Sequence, residues 1–173
     1  MKTLVLFSSA DHQGNTAKVI ERVASLATLE VVNIDKLTIT GYNYANQYPE
    51  DDFYPLVEKM LAADNIVLAS PNYWHAPTAP MKALIDRITE LTDVDALKPK
   101  GRALAGKNGL VLTSSAVSEI CPIYDQIFAR FFEYFDMPYA GKLHADCSDG
   151  IKIDQQQLQD FLHILNRQSA VVS

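Results

Sequence analysis

At 173 residues the chain is long enough to fold as one domain, burying roughly 70% of its unfolded surface without crosslinks. Its 48% hydrophobic and 21% charged composition, free of repeats and low-complexity tracts, excludes a disordered or fibrous protein, and a net charge of -6 argues against a phosphate-backbone binder, which needs a basic face. Only two cysteines, Cys121 and Cys147, are present, too few for a disulfide framework or a cysteine-ligated metal centre, so no metal and a reducing compartment are expected.

Thr3 to Phe7 is a continuous apolar run ended by Ser8 and Ser9, the pattern of a strand covered on both faces. It is too short for a secretory signal and leads straight into polar Asp11 to Asn15, so the expected location is cytoplasmic, and no stretch approaches the roughly 20 apolar residues of a membrane span. From Asn15 onward Ala17, Ile20, Ala24 and Ala27 recur at helical spacing. Leu29 to Ile34 is a second strand, and Lys36 to Asp52 a polar, tyrosine-rich connection whose length invites a functional role. Asp52 to Ala63 reads as a helix and Asn65 to Ala69 as a third strand.

After a loop from Ser70 to Pro77, Met81, Leu84, Ile85, Ile88 and Leu91 trace one helix face, opened by Thr78 with Pro80 in the first turn. Gly106 to Gly109 turns the chain into a fourth strand, Leu110 to Thr113, ending in Ser114 and Ser115. Ile123 to Phe135 supplies another helix, Tyr139 to Ala145 a fifth strand, and Leu158 to Leu165 the last helix. Strict alternation of strand and helix predicts right-handed crossovers and a parallel sheet with helices on both faces. A single α/β domain over 1–173 follows, a three-layer sandwich whose five strands suit the flavodoxin-like order 2-1-3-4-5. Ligands of such sheets bind beyond the carboxyl ends of the strands, where strand order reverses. The informative loops are therefore those after Phe7, Ala69 and Thr113.

The first, Ser8 to Thr16, is a hydroxyl- and glycine-bearing turn into a helix. Free amides at a helix N-terminus favour a dianionic phosphate, Ser9, Asn15 and Thr16 add donors, and Gly14 permits close approach; a helix cap by Asn15 or Thr16 is the alternative. With one glycine and no Gly-Lys-Ser/Thr ending, a mononucleotide is favoured over a pyrophosphate. In the second loop Tyr73 and Trp74 offer apolar faces to a planar ring, and backbone amides between Ser70 and His75 can donate to its polar edge. In the third, Thr113, Ser114 and Ser115 either line the far side of the same pocket or simply turn the chain.

Ser8-Ser9 with Gly14-Asn15-Thr16, then Pro71-Asn72-Tyr73-Trp74, Pro80-Met81-Lys82 and Ile85-Asp86-Arg87, resemble the NADPH-dependent FMN reductase and NAD(P)H quinone reductase family of the flavodoxin-like superfamily. The resemblance implies noncovalent FMN, NAD(P)H as electron donor and a small acceptor such as a quinone or free flavin. It assigns Ser9, Asn15 and Thr16 to the FMN phosphate, Pro71, Asn72, Tyr73 and Trp74 to the flavin ring, and Thr113, Ser114 and Ser115 to its neighbourhood. It also implies a homodimer or homotetramer, with Tyr42, Tyr44, Tyr48 and Tyr54 covering either a neighbour's site or their own domain. Ala10 and Asp11 stand where the family commonly has proline and arginine, and His12 is either a solvated surface residue or a donor offsetting Asp11. No catalytic acid or base is demanded of the protein, since the cofactor carries the chemistry. The rival readings are a flavodoxin-type electron carrier and a binding module without FMN.

His75 reads as a loop histidine, with a protonating role as the alternative, and Cys121 as structural. His144, Asp146 and Cys147 have metal-ligand types but lack a fourth ligand. Lys82 and Asp86, at i and i+4, form an ordinary surface ion pair.

Overall fold

The computed structural model describes residues 1–167; residues 168–173, the end of the expected domain, lie outside it. Strands β1 (Thr3–Phe7), β2 (Glu30–Asn33), β3 (Asn65–Ala69), β4 (Asn108–Ser115), β5 (Tyr139–Asp146) and β6 (Lys152–Ile153) form one sheet in the order 2-1-3-4-5-6. The first five pair in parallel as expected; the sixth corrects the expected count of five and runs antiparallel to β5. Two residues carry no periodicity, and β6 exists only because the turn after Asp146 folds back along β5. β4 is longer than its apolar run because Ser114 and Ser115 continue the ladder opposite Ala145 and Asp146.

The helices are α1 (Asn15–Ala24), α2 (Phe53–Ala62), α3 (Ala79–Arg87), α4 (Glu90–Asp93), α5 (Lys98–Arg102), α6 (Pro122–Tyr134) and α7 (Gln155–Leu165). Alternation along the strands divides them between two layers. Leu4, Leu6, Ile66, Leu68 and Val111 face α2, α3 and α6, whereas Val5, Phe7, Val67, Leu110, Leu112 and Leu143 face α1 and α7. Side chains of both sets are essentially solvent-free, which explains why β1 and β3 read as unbroken apolar runs. The helix expected through Leu91 ends at Arg87, Leu91 falls in a separate short helix, α4, and a second short helix, α5, follows where no helix was expected.

The division at Arg87 has a cause. Arg87 is fully buried and ion-paired with buried Glu90, and its guanidinium lies 3.2 Å from the centre of the Tyr48 ring and 4.2 Å from that of Phe53. Tyr54 donates to Glu90 Oε1 at 2.6 Å and Tyr42 to Asp93 at 2.6 Å. Three of the four tyrosines considered for a neighbour's site thus bind their own domain, and Tyr44 is 93% exposed.

Gly109 opens β4 against α6. A Cβ there would lie 2.5 Å from the ring of fully buried Phe132. Gly109→Ala is expected to destabilise the fold by about 1–3 kcal/mol through overpacking, read as a lower urea midpoint with an unchanged slope.

Candidate active site

The three expected loops meet at the carboxyl edge of the sheet around a cavity of about 480 Å³, lined among others by Ser9, Asn15, Thr16, Pro71, Asn72, Tyr73, Ser114 and Ser115. Two of the ten residues assigned from sequence fall elsewhere. Thr113 is solvent-free beneath the cavity floor, because β4 continues to Ser115. Trp74 is 96% exposed and lines an adjoining cavity of about 780 Å³ with His75, Cys121 and the 115–122 loop.

At the phosphate end, Gly14 is the N-cap of α1 and no side chain caps the helix. Among the described residues the N–H groups of Asn15, Thr16 and Ala17 donate to no acceptor, and Asn15 and Thr16 line the cavity at the positive end of the helix. Neither Asn15 nor Thr16 therefore acts as a cap. Thr16 is 2% exposed, and its hydroxyl is 2.7 Å from that of Ser114, fastening the first loop to the third. The space over Gly14 is taken by Asp11, whose Cβ, Cγ and Oδ2 would lie 3.1 Å from a Cβ at Gly14. A side chain at Gly14 would need the exposed Asp11 to give by a few tenths of an ångström, and Asp11 Oδ1 accepts from the Gln13 amide at 2.9 Å. Lys18, one turn into α1, brings a positive charge to the same rim.

Asp35, in the 3-10 turn after β2, is the functional residue that sequence reasoning missed. Its Oδ1 accepts from the Ser8 hydroxyl at 2.6 Å, and its Oδ2 takes the Ser9 amide at 2.9 Å and His12 Nε2 at 2.9 Å. His12 is thus a partner of Asp35 rather than a free surface histidine. Ser8 also meets Thr78, the N-cap of α3, so one carboxylate links the first loop to β2 while one hydroxyl links it to α3. An acidic residue 26 positions away, at the head of a polar connection, gives no local signal of this role.

In the second loop, Tyr73 and Ala76 exchange two backbone bonds of 2.9 and 3.0 Å. Between them Trp74 and His75 have φ of 51° and 66°, the pattern of a type I′ turn normally supplied by Asn-Gly. That turn throws Trp74 into solvent. It also corrects the expectation for the amides: those of Ser70, Asn72 and Tyr73 donate to Leu112, Ser114 and Ala76, leaving Trp74 and His75 as free donors. Asn72 lines the cavity, and its buried Oδ1 has no partner among the described residues, an exception to the pairing of buried polar groups. Tyr124 supports the loop from below by donating to the Ser70 carbonyl at 2.6 Å, and burial raises its phenol pKa. His75 Nδ1 lies 3.1 Å from Cys121 Sγ, and Lys82 and Asp86 pair at 2.6 Å.

A parallel sheet in this order, with an amide-lined helix N-terminus and two polar loops converging on one cavity, defines a flavodoxin-like nucleotide-binding protein. The family model for NADPH-dependent FMN reductases matches residues 1–144, and the chain belongs to that family. It is an NAD(P)H-dependent flavin oxidoreductase whose cofactor is FMN and whose electron donor is NAD(P)H.

Among solved structures, the Trp repressor binding protein from Bacillus subtilis superposes with a TM-score of 0.71 at 19% identity, over 96% of this chain and 100% of that one. An NADPH-quinone reductase from P. pentosaceus gives 0.64 at 16%, over 98% and 100%. FerB, a flavoenzyme NAD(P)H:(acceptor) oxidoreductase from Paracoccus denitrificans, gives 0.64 at 14%, over 95% of each chain. No curated protein matches the chain at a significant level.

The brace at Asp35 is open to test without a ligand. Asp35→Ala removes the charged acceptor of the Ser9 amide, and hydrogen exchange at that amide is expected to rise by roughly 10- to 100-fold while β3 amides keep their protection.

Proposed function

We propose that the 480 Å³ cavity holds FMN, with the phosphate on the first turn of α1 and the flavin ring between the second and third loops, and passes electrons from NAD(P)H to a small acceptor such as a quinone. The observation that carries this reading is the coincidence, in the lining of one cavity, of Asn15 and Thr16 with unpartnered helix-start amides and of Asn72, whose buried Oδ1 has no partner among the described residues. Amides suit a phosphate dianion, and a lone carbonyl oxygen suits the ring imide N–H of a flavin. Ser9, Asn15 and Thr16 belong to the phosphate end, and Pro71, Asn72, Tyr73, Ser114 and Ser115 to the ring end, with Trp74 at its outer margin. The quinone reductase and NAD(P)H:(acceptor) oxidoreductase named above support a small-molecule acceptor by analogy of fold.

When bound, FMN supplies reversible two-electron chemistry. The chain's own contribution is binding, orientation and access. Asp35 accepts from the Ser8 hydroxyl and the Ser9 amide and so fixes the course of the first loop beside the phosphate end, and the Thr16–Ser114 bond ties that loop to the third. Free Trp74 and His75 amides stand beside the ring end, where added negative charge on a reduced ring system is stabilised by donors.

The test is a visible spectrum of the chain mixed with excess FMN, desalted, and then treated anaerobically with NADPH and with NADH. A retained flavin band that bleaches with either nucleotide is the expected result. Retention without bleaching indicates an electron carrier, and loss of the band on desalting overturns the cofactor assignment of this cavity.

Asp11 supplies a second test. Its carboxylate sits on the rim of a site for an anion, and Asp11→Asn removes that charge while keeping an acceptor for the Gln13 amide. FMN is expected to bind about 3- to 10-fold more tightly, by fluorescence titration, with the difference shrinking as salt is raised.

A further inference from the structure

Ser115, at the ring end of the cofactor cavity, is paired with His144, a residue outside that cavity. The Ser115 hydroxyl is 2.7 Å from His144 Nε2. Ser115, the last residue of β4, lines the 480 Å³ cavity and the adjoining 780 Å³ cavity. His144, on the neighbouring strand, lines a separate cavity of about 320 Å³ together with Asp146, Lys152, Asp154 and Gln157. The serine–histidine bond therefore joins a residue lining the cofactor cavity to a residue lining the 320 Å³ cavity.

The imidazole is held firmly and is only 7% exposed as a residue, with its backbone amide bonded to Gln157 Oε1 at 2.7 Å. The charged groups facing it are Asp146 on its own strand, Lys152 on β6 and Asp154 at the start of α7. Asp146 is engaged by the Ser148 amide, Lys152 by Asp149 and Asp154 by the Gln157 amide, so Ser115 is the side chain that takes the ring nitrogen. Burial holds His144 below the ordinary histidine value, against a smaller opposing pull from Asp146.

We propose that Ser115 and His144 are a proton port, carrying protons from the 320 Å³ cavity to an acceptor reduced in the cofactor cavity. The inference rests on the functional reading above. Two-electron reduction of a quinone consumes the hydride of NAD(P)H and one further proton. As that proton is delivered, the Ser115 Oγ–H bond breaks and the hydroquinone O–H bond forms. His144 Nε2–H returns a proton to Ser115 Oγ as Nδ1 takes one from a hydronium ion in the 320 Å³ cavity, which leaves as water, so the net proton comes from solvent. Both electrons come from the nicotinamide, which leaves oxidised. Ser115 is then a catalytic residue, and His144 a positioning residue that acts through it.

The test uses the full chain loaded with FMN, NADPH as donor and two acceptors: 1,4-benzoquinone, which takes up protons, and ferricyanide, which takes electrons alone. In His144→Gln the kcat with benzoquinone is expected to fall at least about ten-fold, with KM and the ferricyanide rate changing less than about two-fold. Equal losses with both acceptors, or no loss with benzoquinone, overturn the port. A second readout needs no cofactor: in the flavin-free protein the ¹⁵N resonance of His144 Nε2 is expected to shift on Ser115→Ala, and an unmoved resonance overturns the pair. A wild-type chain that fails to retain FMN removes the functional reading and the port together, whereas retained FMN with acceptor-independent losses removes the port alone.

Discussion

Five parallel strands covered by helices on both faces leave almost no solvent-facing side chain between Thr3 and Phe7, or between Asn65 and Ala69. Polar chemistry is thereby confined to the strand ends. At the carboxyl end each right-handed crossover must leave the sheet through a loop, and the loops after β1, β3 and β4 emerge side by side because those strands are neighbours in the sheet. The site is thus a consequence of strand order: residues separated by about a hundred positions, such as Thr16 and Ser114, meet because the strands feeding them do.

Adjacency alone does not make one cavity of three loops. Each loop is tied to another by a polar contact with little or no exposure to water: Asp35 to Ser8 and Ser9, Thr78 to Ser8, Thr16 to Ser114, and the Asn72 amide to the Ser114 carbonyl. Such bonds are expensive to leave unmade in a low-dielectric setting, which favours a single arrangement of the loops. What remains unbonded is correspondingly informative. Three amides at the start of α1 and one oxygen of Asn72 are polar groups that the chain's internal network passes over.

Much of this was legible in the sequence. β1 and β3 announced themselves by unbroken apolar runs, α1 and α3 by their spacing, and the switch-point rule then singled out the three loops that line the 480 Å³ cavity. The rest depended on contacts that sequence distance hides. Asp35 sits among ordinary polar residues and owes its role to partners contributed by β1. Trp74 read as a stacking surface because aromatic residues in polar loops are usually placed for contact, whereas the left-handed turn at Trp74 and His75, adopted without glycine or asparagine, directs it outward. Thr113 was placed one position too near the cavity, because the apolar run of β4 stops before its hydrogen-bonded ladder does.

The buried Arg87 gives the connection between β2 and α2 an unusual status. Its cation is stacked on Tyr48 of that connection and on Phe53 of the following helix, and it is neutralised by Glu90 beyond the end of α3. A surface loop of this length is ordinarily a module that tolerates exchange or trimming. Here the tyrosine forms one wall of a chamber around a charge in the domain's interior, so the segment is not portable. Grafted onto a relative lacking the arginine it would arrive without its anchor, and a host loop brought in its place would leave a guanidinium without its aromatic wall. The loop and the cation form a single structural unit, and a change at either alters the surroundings of the other.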